Sequence, residues 1–554
     1  MNLARKGFIL NIIILFMRQQ KRHHIDKVKK LNKKGCHDTV FPSVIHVLHL
    51  YVVAVLQANL QYVIGINMNV LWICTDQQRY DTINCYGNPY VKTPNMDRLA
   101  KMGVKFNRAY CQSPVCAPSR ASFLTGRYPR TCGVRQNGQD IPSKERLVTK
   151  VLSEHGYTCG LSGKLHISAC NQSVCRVIEP RIEDGYDYFM WSHHPEGSGS
   201  KGNWLRNDYS TWLDKEGVEY TSEPLNECRF VEAGMTEKYH QTTWCIDRAI
   251  DYISEAKKYE LPWLFSVNMY DPHHPFNPPA EYLERYMDKL DDIPLPNYVE
   301  GELEHKPVFQ SIDHNGAYGI KGNYPYESMS EKDHRYLRAA YWAMVDLIDV
   351  QLGRILDYLE ESGQINDTMI LFHSDHGENL GDHGMYLKGP YFYENNIHVP
   401  LIIAYPSKIK GDQVSNALVE LVDLAPTICD AAGIPCEAGM QGKSLWPMMT
   451  GQASLEFHRR SVYSEFYNSN INHRDPFAFD TMAFDGRYKL VRVHDVKDEI
   501  ECEGELYDLF LDPKETINRY NDPEYLGVKA EMLGILCDRM AETCDPLPIR
   551  KACW

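Results

Sequence analysis

The chain has 554 residues, of which 43% are hydrophobic and 24% charged, a balance that excludes a disordered polymer or a membrane-embedded bundle and allows a large core with insertions. Net charge is -14, yet the first 67 residues hold ten Lys/Arg against two Asp, so the rest of the chain is more acidic than the total implies. An acidic body argues against nucleic acid as the partner, because phosphate binding depends on clustered Lys/Arg, and an anionic substrate would need a local cationic pocket.

Two apolar runs precede residue 68. Phe8 to Met17, after Arg5 and Lys6, has the look of a signal-peptide core, but a basic stretch from Arg18 to Lys34 follows and no small-residue cleavage site adjoins it. Ser43 to Ile66 approaches the length of a membrane span but contains His46, His49, Gln57, Asn59 and Gln61. Met68 leads directly into a buried-strand pattern, so the expected natural start is Met68, with residues 1-67 an over-extended start or an uncleaved anchor. The 17 cysteines, an odd number, lack the spacings of a zinc site or a small disulfide scaffold. Mostly reduced thiols are expected, and with them a cytoplasmic rather than an exported chain.

Beyond Met68, five apolar runs read as strands: Val70 to Cys74, Thr158 to Ser162, Trp263 to Met269, Met369 to His373 and Leu401 to Tyr405. Helical periodicity lies between them, notably over Asn95 to Met102 and Glu331 to Glu361. This alternation predicts an α/β fold whose mostly parallel sheet is covered by helices on both faces, over residues 68-460. After Ser461 the pattern changes to short strands (Ser461 to Phe466, Thr481 to Phe484, Tyr488 to Val493, Leu506 to Asp508) and a helix from about Tyr525 to Thr543, a small antiparallel subdomain over 461-554. In parallel sheets, reactive groups gather at the carboxyl ends of the strands. Asp76, Lys164/His166, Asp271/His273 and Asp375/His376 each follow one of the runs, so four polar clusters point to one edge.

Carboxylates, a side-chain carbonyl and an imidazole converging at strand ends (Asp76-Gln77, Asp375-His376) can hold one divalent cation, although an Asp at a strand end equally serves as a helix cap. Cys116, in Cys116-Ala117-Pro118-Ser119-Arg120, would open a helix whose amides and dipole favour an anion, with Arg120 adding a positive fork. An isolated Cys on a helix is more commonly a buried structural thiol. A phosphatase-type thiolate would need a cradle of backbone amides between Cys and Arg, and Pro118 removes one of them.

The run Cys116-x-Pro118-Ser119-Arg120 with Ala121-Ser122-Phe123-Leu124-Thr125-Gly126-Arg127-Tyr128-Pro129 resembles the signature of the type I sulfatases, alkaline-phosphatase-superfamily enzymes in which this Cys is oxidised to formylglycine. The resemblance extends over residues 69 to about 521. It includes Asn95 to Ala100, Gly163-Lys164-Leu165-His166, Pro272-His273-His274-Pro275-Phe276, Ser374-Asp375-His376-Gly377-Glu378, Lys388 to Glu394, Asp423 to Thr427 and Glu505 to Asp508. It implies an alkaline-phosphatase-like α/β sandwich with a small C-terminal sheet. It also implies a cation, usually calcium, held by Asp76, Gln77, Asp375 and His376 with residue 116 completing the shell. Gln77 stands where many members have a second Asp, which should weaken calcium binding and leaves magnesium or manganese open. Lys164, His166, Arg120, His273 and Lys388 would form the cationic pocket, with Lys164, Lys388 and Arg120 on the sulfate oxygens, His273 (with Lys388) giving the leaving alcohol its proton and His166 taking one from residue 116.

The same resemblance implies a maturation enzyme as partner and a sulfated small molecule or glycan as substrate. Two rivals stand beside it: a phosphonate monoester or phosphodiester hydrolase of the superfamily, which often has Asp-Gln at 76-77 but against which the Lys164/His166 pair speaks because it looks like the sulfatase version of the site, and a catalytically inactive carbohydrate-binding relative. Aromatic residues between Tyr186 and Pro325 (Trp191, Trp204, Tyr209, Trp212, Tyr220) suit sugar stacking, or equally the packing of loops. His398 stands where relatives commonly have Arg.

Overall fold

A computed structural model describes residues 68-171, 174, 177-195, 207-469, 474-494 and 503-553. The expectations for residues 1-67 and for Trp204 lie outside them. The main sheet has eight strands: β1 (Asn69–Thr75), β2 (Gly103–Phe106), β3 (Thr158–Gly163), β4 (Tyr188–Trp191), β5 (Trp263–Asn268), β6 (Thr368–Ser374), β7 (Leu401–Ala404) and β8 (Gln413–Ser415). Their spatial order is β8-β2-β7-β6-β1-β5-β3-β4. From β6 to β4 all neighbours are parallel, whereas β7 runs antiparallel to both β6 and β2. The fold is the expected alkaline-phosphatase-like α/β sandwich, with a mixed, mostly parallel sheet.

The continuous apolar runs arise because the central strands are covered on both sides. Leu71 and Ile73 of β1 join the core formed with helices α3 (Gln241–Lys258) and α4 (Glu331–Glu361), while Trp72, on the opposite face, meets Phe123 of helix α2 (Cys116–Thr125) with ring centroids 5.5 Å apart. Helix α1 (Pro94–Met102) packs beside α4 and is tied to it by Asp349, whose carboxylate accepts from the amides of Asn95 and Met96. Helix α4 starts where the sequence places it, because Ser330 and Asp333 cap each other's backbone amides.

The parallel register aligns the strand ends. Cys74 pairs with His373 and with Asn268, and Gly163 pairs with Asn268 in turn. Residues leaving β1, β3, β4, β5 and β6 therefore emerge at one edge. The fifth expected strand, β7, reverses direction, and for that reason no site residue follows it. The C-terminal strands β9 (Val462–Tyr467), β10 (Phe479–Phe484), β11 (Tyr488–Val493) and β12 (Gly504–Asp508) form an antiparallel sheet backed by helix α5 (Leu526–Glu542). Its core continues into the main body, where Tyr128 and Val422 pack with Tyr463, Leu490 and Leu536. All described cysteines are thiols.

Candidate active site

Helix α2 carries Cys116 as its first residue, buried beside the strand ends. The proline at 118 costs nothing there, since first-turn amides have no intrahelical acceptor, and Asn137 Oδ1 takes the amide of Ala117 at 2.9 Å. Ser119 Oγ donates to the carbonyl of Asp375 at 2.6 Å, docking the helix onto the end of β6.

Around the Cys116 sulfur stand Asp76, Asp375 and His376, with one ligand atom of each of the four residues within 4.8 Å of the others. Both carboxylates divide their oxygens. Asp76 turns Oδ2 to Lys164 Nζ (2.5 Å) and Arg120 Nη2 (3.1 Å), and Asp375 turns Oδ2 to Arg120 Nε (2.8 Å). Their Oδ1 atoms face the cluster, 3.9 and 3.7 Å from His376 Nε2. His376 Nδ1 lies 2.9 Å from the carbonyl of Gly377, which can only accept, so the proton sits on Nδ1 and the Nε2 lone pair points at the carboxylates and at Cys116 Sγ, 3.2 Å away. Burial disfavours an imidazolium, but the Asp375 carboxylate and the Cys116 sulfur hold His376 above its ordinary pKa, so the centre of the cluster favours a positive charge. A lone pair and two carboxylate oxygens converging in this way, with a carbonyl fixing the second imidazole nitrogen, fit a divalent cation.

Charge pairing also sets the protonation of the site. Burial would raise Asp76, but Lys164, Arg120 and Lys388 hold it well below the usual carboxylate range. Burial and Asp76 push the Cys116 thiol up, while Lys164 (Nζ 3.6 Å from Sγ), Lys388 and His376 bring it below its usual value.

Gln77, with a φ of +68°, and His166, at +53°, both occupy the left-handed region that non-glycine residues rarely adopt, as strained site residues often do. Gln77 presents its side-chain carbonyl to Lys388 Nζ and its side-chain NH2 to Glu378, while its backbone is held by Tyr341 from α4. His166 is placed by Glu179, whose carboxylate accepts from the amides of His166 (2.8 Å) and Ile167 (2.9 Å) and from Trp191 Nε1 (3.0 Å). Gly163 makes the turn from β3 into this loop. Its φ is +99°, and a Cβ would lie 1.9 Å from the carbonyl oxygen of Asn268.

A cavity of about 170 Å³ opens over Cys116. Lys164, His166, His273 and Lys388 line it, together with His193, His194, His274, Tyr318, Asn137 and Ser469. Burial, reinforced by neighbouring lysines and histidines, holds His166, His193, His273 and His274 well below the ordinary histidine pKa and lowers His194 to about 3. His193 and His194 follow β4, a strand that the sequence reading passed over; the strand-end rule that found Lys164 and Asp375 would have found them. His274 and Glu378 lie inside quoted motifs without an assigned role.

One expectation needs correction. Arg120 does not face the cavity: it is 1% exposed and consumed by Asp76, Asp375 and the carbonyl of Lys164, so it braces the carboxylates instead of meeting sulfate oxygens. Of the two readings open for the loop aromatics, packing holds for Trp191 and Tyr209, which offer no stacking faces. Both are fully buried, Trp191 donating to Glu179 and Tyr209 to the carbonyl of Tyr239. Trp212 and Tyr220 pack against the same core. His398 lies with Glu394 (2.9 Å) and is stacked between Tyr80 and Tyr110. Asp271 bonds Thr242 at 2.6 Å.

The family model for sulfatases matches residues 68-434, and that for the C-terminal region of N-sulphoglucosamine sulphohydrolase matches residues 381-542. The chain is 30% identical to an arylsulfatase of Clostridium perfringens over 472 residues, covering 82% of this chain and 91% of that one. It is 26% identical over 532 residues to an N-acetylglucosamine-6-O-sulfatase of Bacteroides thetaiotaomicron, covering 87% and 88%. Among solved structures it resembles a phosphonate monoester hydrolase of Agrobacterium radiobacter, with a TM-score of 0.72 at 25% identity over 87% of this chain and 97% of that one. The chain belongs to the sulfatase family of the alkaline phosphatase superfamily and is a sulfuric ester hydrolase.

Proposed function

We propose that the chain hydrolyses a carbohydrate sulfate ester using formylglycine made from Cys116 by a separate maturation enzyme, with a divalent cation, calcium by preference, held by Asp76, Asp375, His376 and the Gln77 carbonyl. The observation that carries this reading is the convergence on Cys116 Sγ of His376 Nε2 (3.2 Å), Lys164 Nζ (3.6 Å) and Asp76 Oδ1 (3.7 Å) at the start of α2. A hydrated formylglycine supplies two hydroxyls on one carbon, one to bond sulfur and one to release sulfate by giving up its proton, which a serine or cysteine cannot do. A cation here supplies Lewis acidity, making a hydroxyl at residue 116 more acidic and drawing charge from a sulfate oxygen.

Lys164 and Lys388 offset negative charge on the remaining oxygens, and Arg120 keeps Asp76 and Asp375 turned inward. His166, neutral at pH 7 and with an unpartnered Nδ1, is suited to accept a proton from residue 116. His273 Nδ1 lies 2.6 Å from the carbonyl of His274, which leaves Nε2 for the leaving oxygen. Because burial and Lys388 keep His273 neutral in the free protein, its donor role requires the bound anionic ester to raise its pKa, with Lys388 as the second donor. The carbohydrate assignment rests on the glucosamine-sulfatase relative and on a wall of neutral histidines, Asn137 and Ser469 that suits hydroxyl groups.

A second reading, phosphonate monoester hydrolysis, is favoured by Gln77 after Asp76 and by the likeness to the Agrobacterium radiobacter enzyme. Rates on an aryl sulfate and an aryl phosphonate with the same leaving group separate the two. A higher kcat/KM on the sulfate is expected, and a preference for the phosphonate would reverse the assignment.

A further inference from the structure

Glu378 is fully buried two residues beyond His376 and stands outside the four-residue cluster around Cys116. One of its oxygens accepts from the backbone amides of Leu380 (2.9 Å) and Leu387 (2.5 Å). Both leucines have left-handed φ values, +50° and +64°. The loop they bound is stitched further by Asn379 N to Leu387 O and Gly381 N to Met385 O, and the residue that leaves it is Lys388. The other Glu378 oxygen accepts from the side-chain NH2 of Gln77, whose side-chain oxygen accepts from Lys388 Nζ. The three side chains form a relay with Gln77 at its centre.

A side-chain amide can in principle present either end. Here the contacts fix the choice: the Lys388 ammonium, which only donates, meets the amide oxygen, and the NH2 is left to donate to Glu378. We propose that Glu378 is a positioning residue that holds the Gln77 amide with its oxygen toward Lys388, while clamping the loop that delivers Lys388. Replacing Glu378 with Gln leaves one oxygen for the loop amides and puts an NH2 opposite the Gln77 NH2. The Gln77 amide then turns over and aims its NH2 at the Lys388 ammonium. Exchanging the pair, Q77E/E378Q, restores every polarity: a carboxylate faces Lys388 and accepts from Gln at 378, whose oxygen keeps the loop.

This inference rests on the proposed cation site, and its test separates the two. Calcium binding by calorimetry, kcat/KM on an aryl sulfate and urea unfolding are measured for the wild type, E378Q, Q77E and the double exchange. E378Q is expected to lose about 10- to 100-fold in calcium affinity and in kcat/KM, the usual effect of removing an outer-shell partner. Gln77→Glu is expected to improve both readouts on the E378Q background by about tenfold or more beyond its effect on the wild type, with urea midpoints unchanged between E378Q and the double exchange. The same effect of Gln77→Glu on both backgrounds, or an E378Q protein with undiminished affinity, overturns the proposal. If E378Q fails to fold, the double exchange must fold and bind calcium for the proposal to stand. Calcium coupling without turnover of any sulfate ester would retain Glu378's role and refute the sulfatase reading; turnover without coupling would do the reverse.

Discussion

On the floor of the pocket, Asp76 and Asp375 meet Arg120 and Lys164 in ion pairs whose side chains are at most 2% exposed. The wall above it consists of His193, His194, His273 and His274, all kept neutral by burial and by nearby lysines. The floor holds charge because each charge has a partner, and the wall avoids charge because a further cation beside Lys164 and Lys388 would be repelled. The floor is thereby suited to ionic chemistry on an ester, and the wall to neutral hydrogen bonds with whatever the ester is attached to. Each region also fails differently when disturbed.

The largest effect belongs to the floor's centre. Cys116→Ala is expected to lower kcat by about 10⁴-fold or more while leaving calcium binding measurable by calorimetry, because Asp76, Asp375 and His376 are untouched. Arg120→Met should cost about 3–5 kcal/mol in denaturant unfolding, since it strands two buried carboxylates. Added calcium should recover much of that loss by binding only the folded state, whereas a purely steric role for Arg120 would leave the deficit independent of calcium. Lys164→Met is expected to reduce kcat/KM about 10²- to 10³-fold with a smaller effect on the unfolding midpoint.

Smaller effects belong to the wall and appear in pH dependence. Above about pH 6.5 a wall histidine is neutral in both folded and unfolded chains, so it adds no pH dependence. Below that value the unfolded chain takes up protons that the folded wall refuses, and stability falls by about 1.4 kcal/mol per pH unit for each such histidine until its lowered folded pKa is reached. For His194 that window extends from about 6.5 down to about 3. His194→Gln should flatten the acid slope of the unfolding free energy by about this amount and leave stability at pH 7.5 nearly unchanged. An unaltered slope would mean that His194 is not held neutral.

Much of the floor was legible in the sequence because its signal is local. Asp76, Lys164 and Asp375 each follow an apolar run, and parallel register brings such positions to one edge. The direction of Arg120 was not legible. It lies one helical turn beyond Cys116 and could face the cavity or the strand ends; only the positions of Asp76 and Asp375 decide for the strand ends. Trp191 was left open between stacking and packing for a related reason, since its use as a donor to Glu179 depends on a loop twelve residues away in sequence. Glu378 lies within a visible motif, but its role is defined by Gln77, separated from it by 301 positions. Contacts of that kind have no periodicity to betray them.

The most direct test of the central claim is mass spectrometry of the peptide spanning Cys116, taken from preparations of graded activity. The expected result is turnover proportional to the fraction of peptide in which the thiol has been replaced by an aldehyde. Full turnover from protein carrying only the thiol at residue 116 would contradict it.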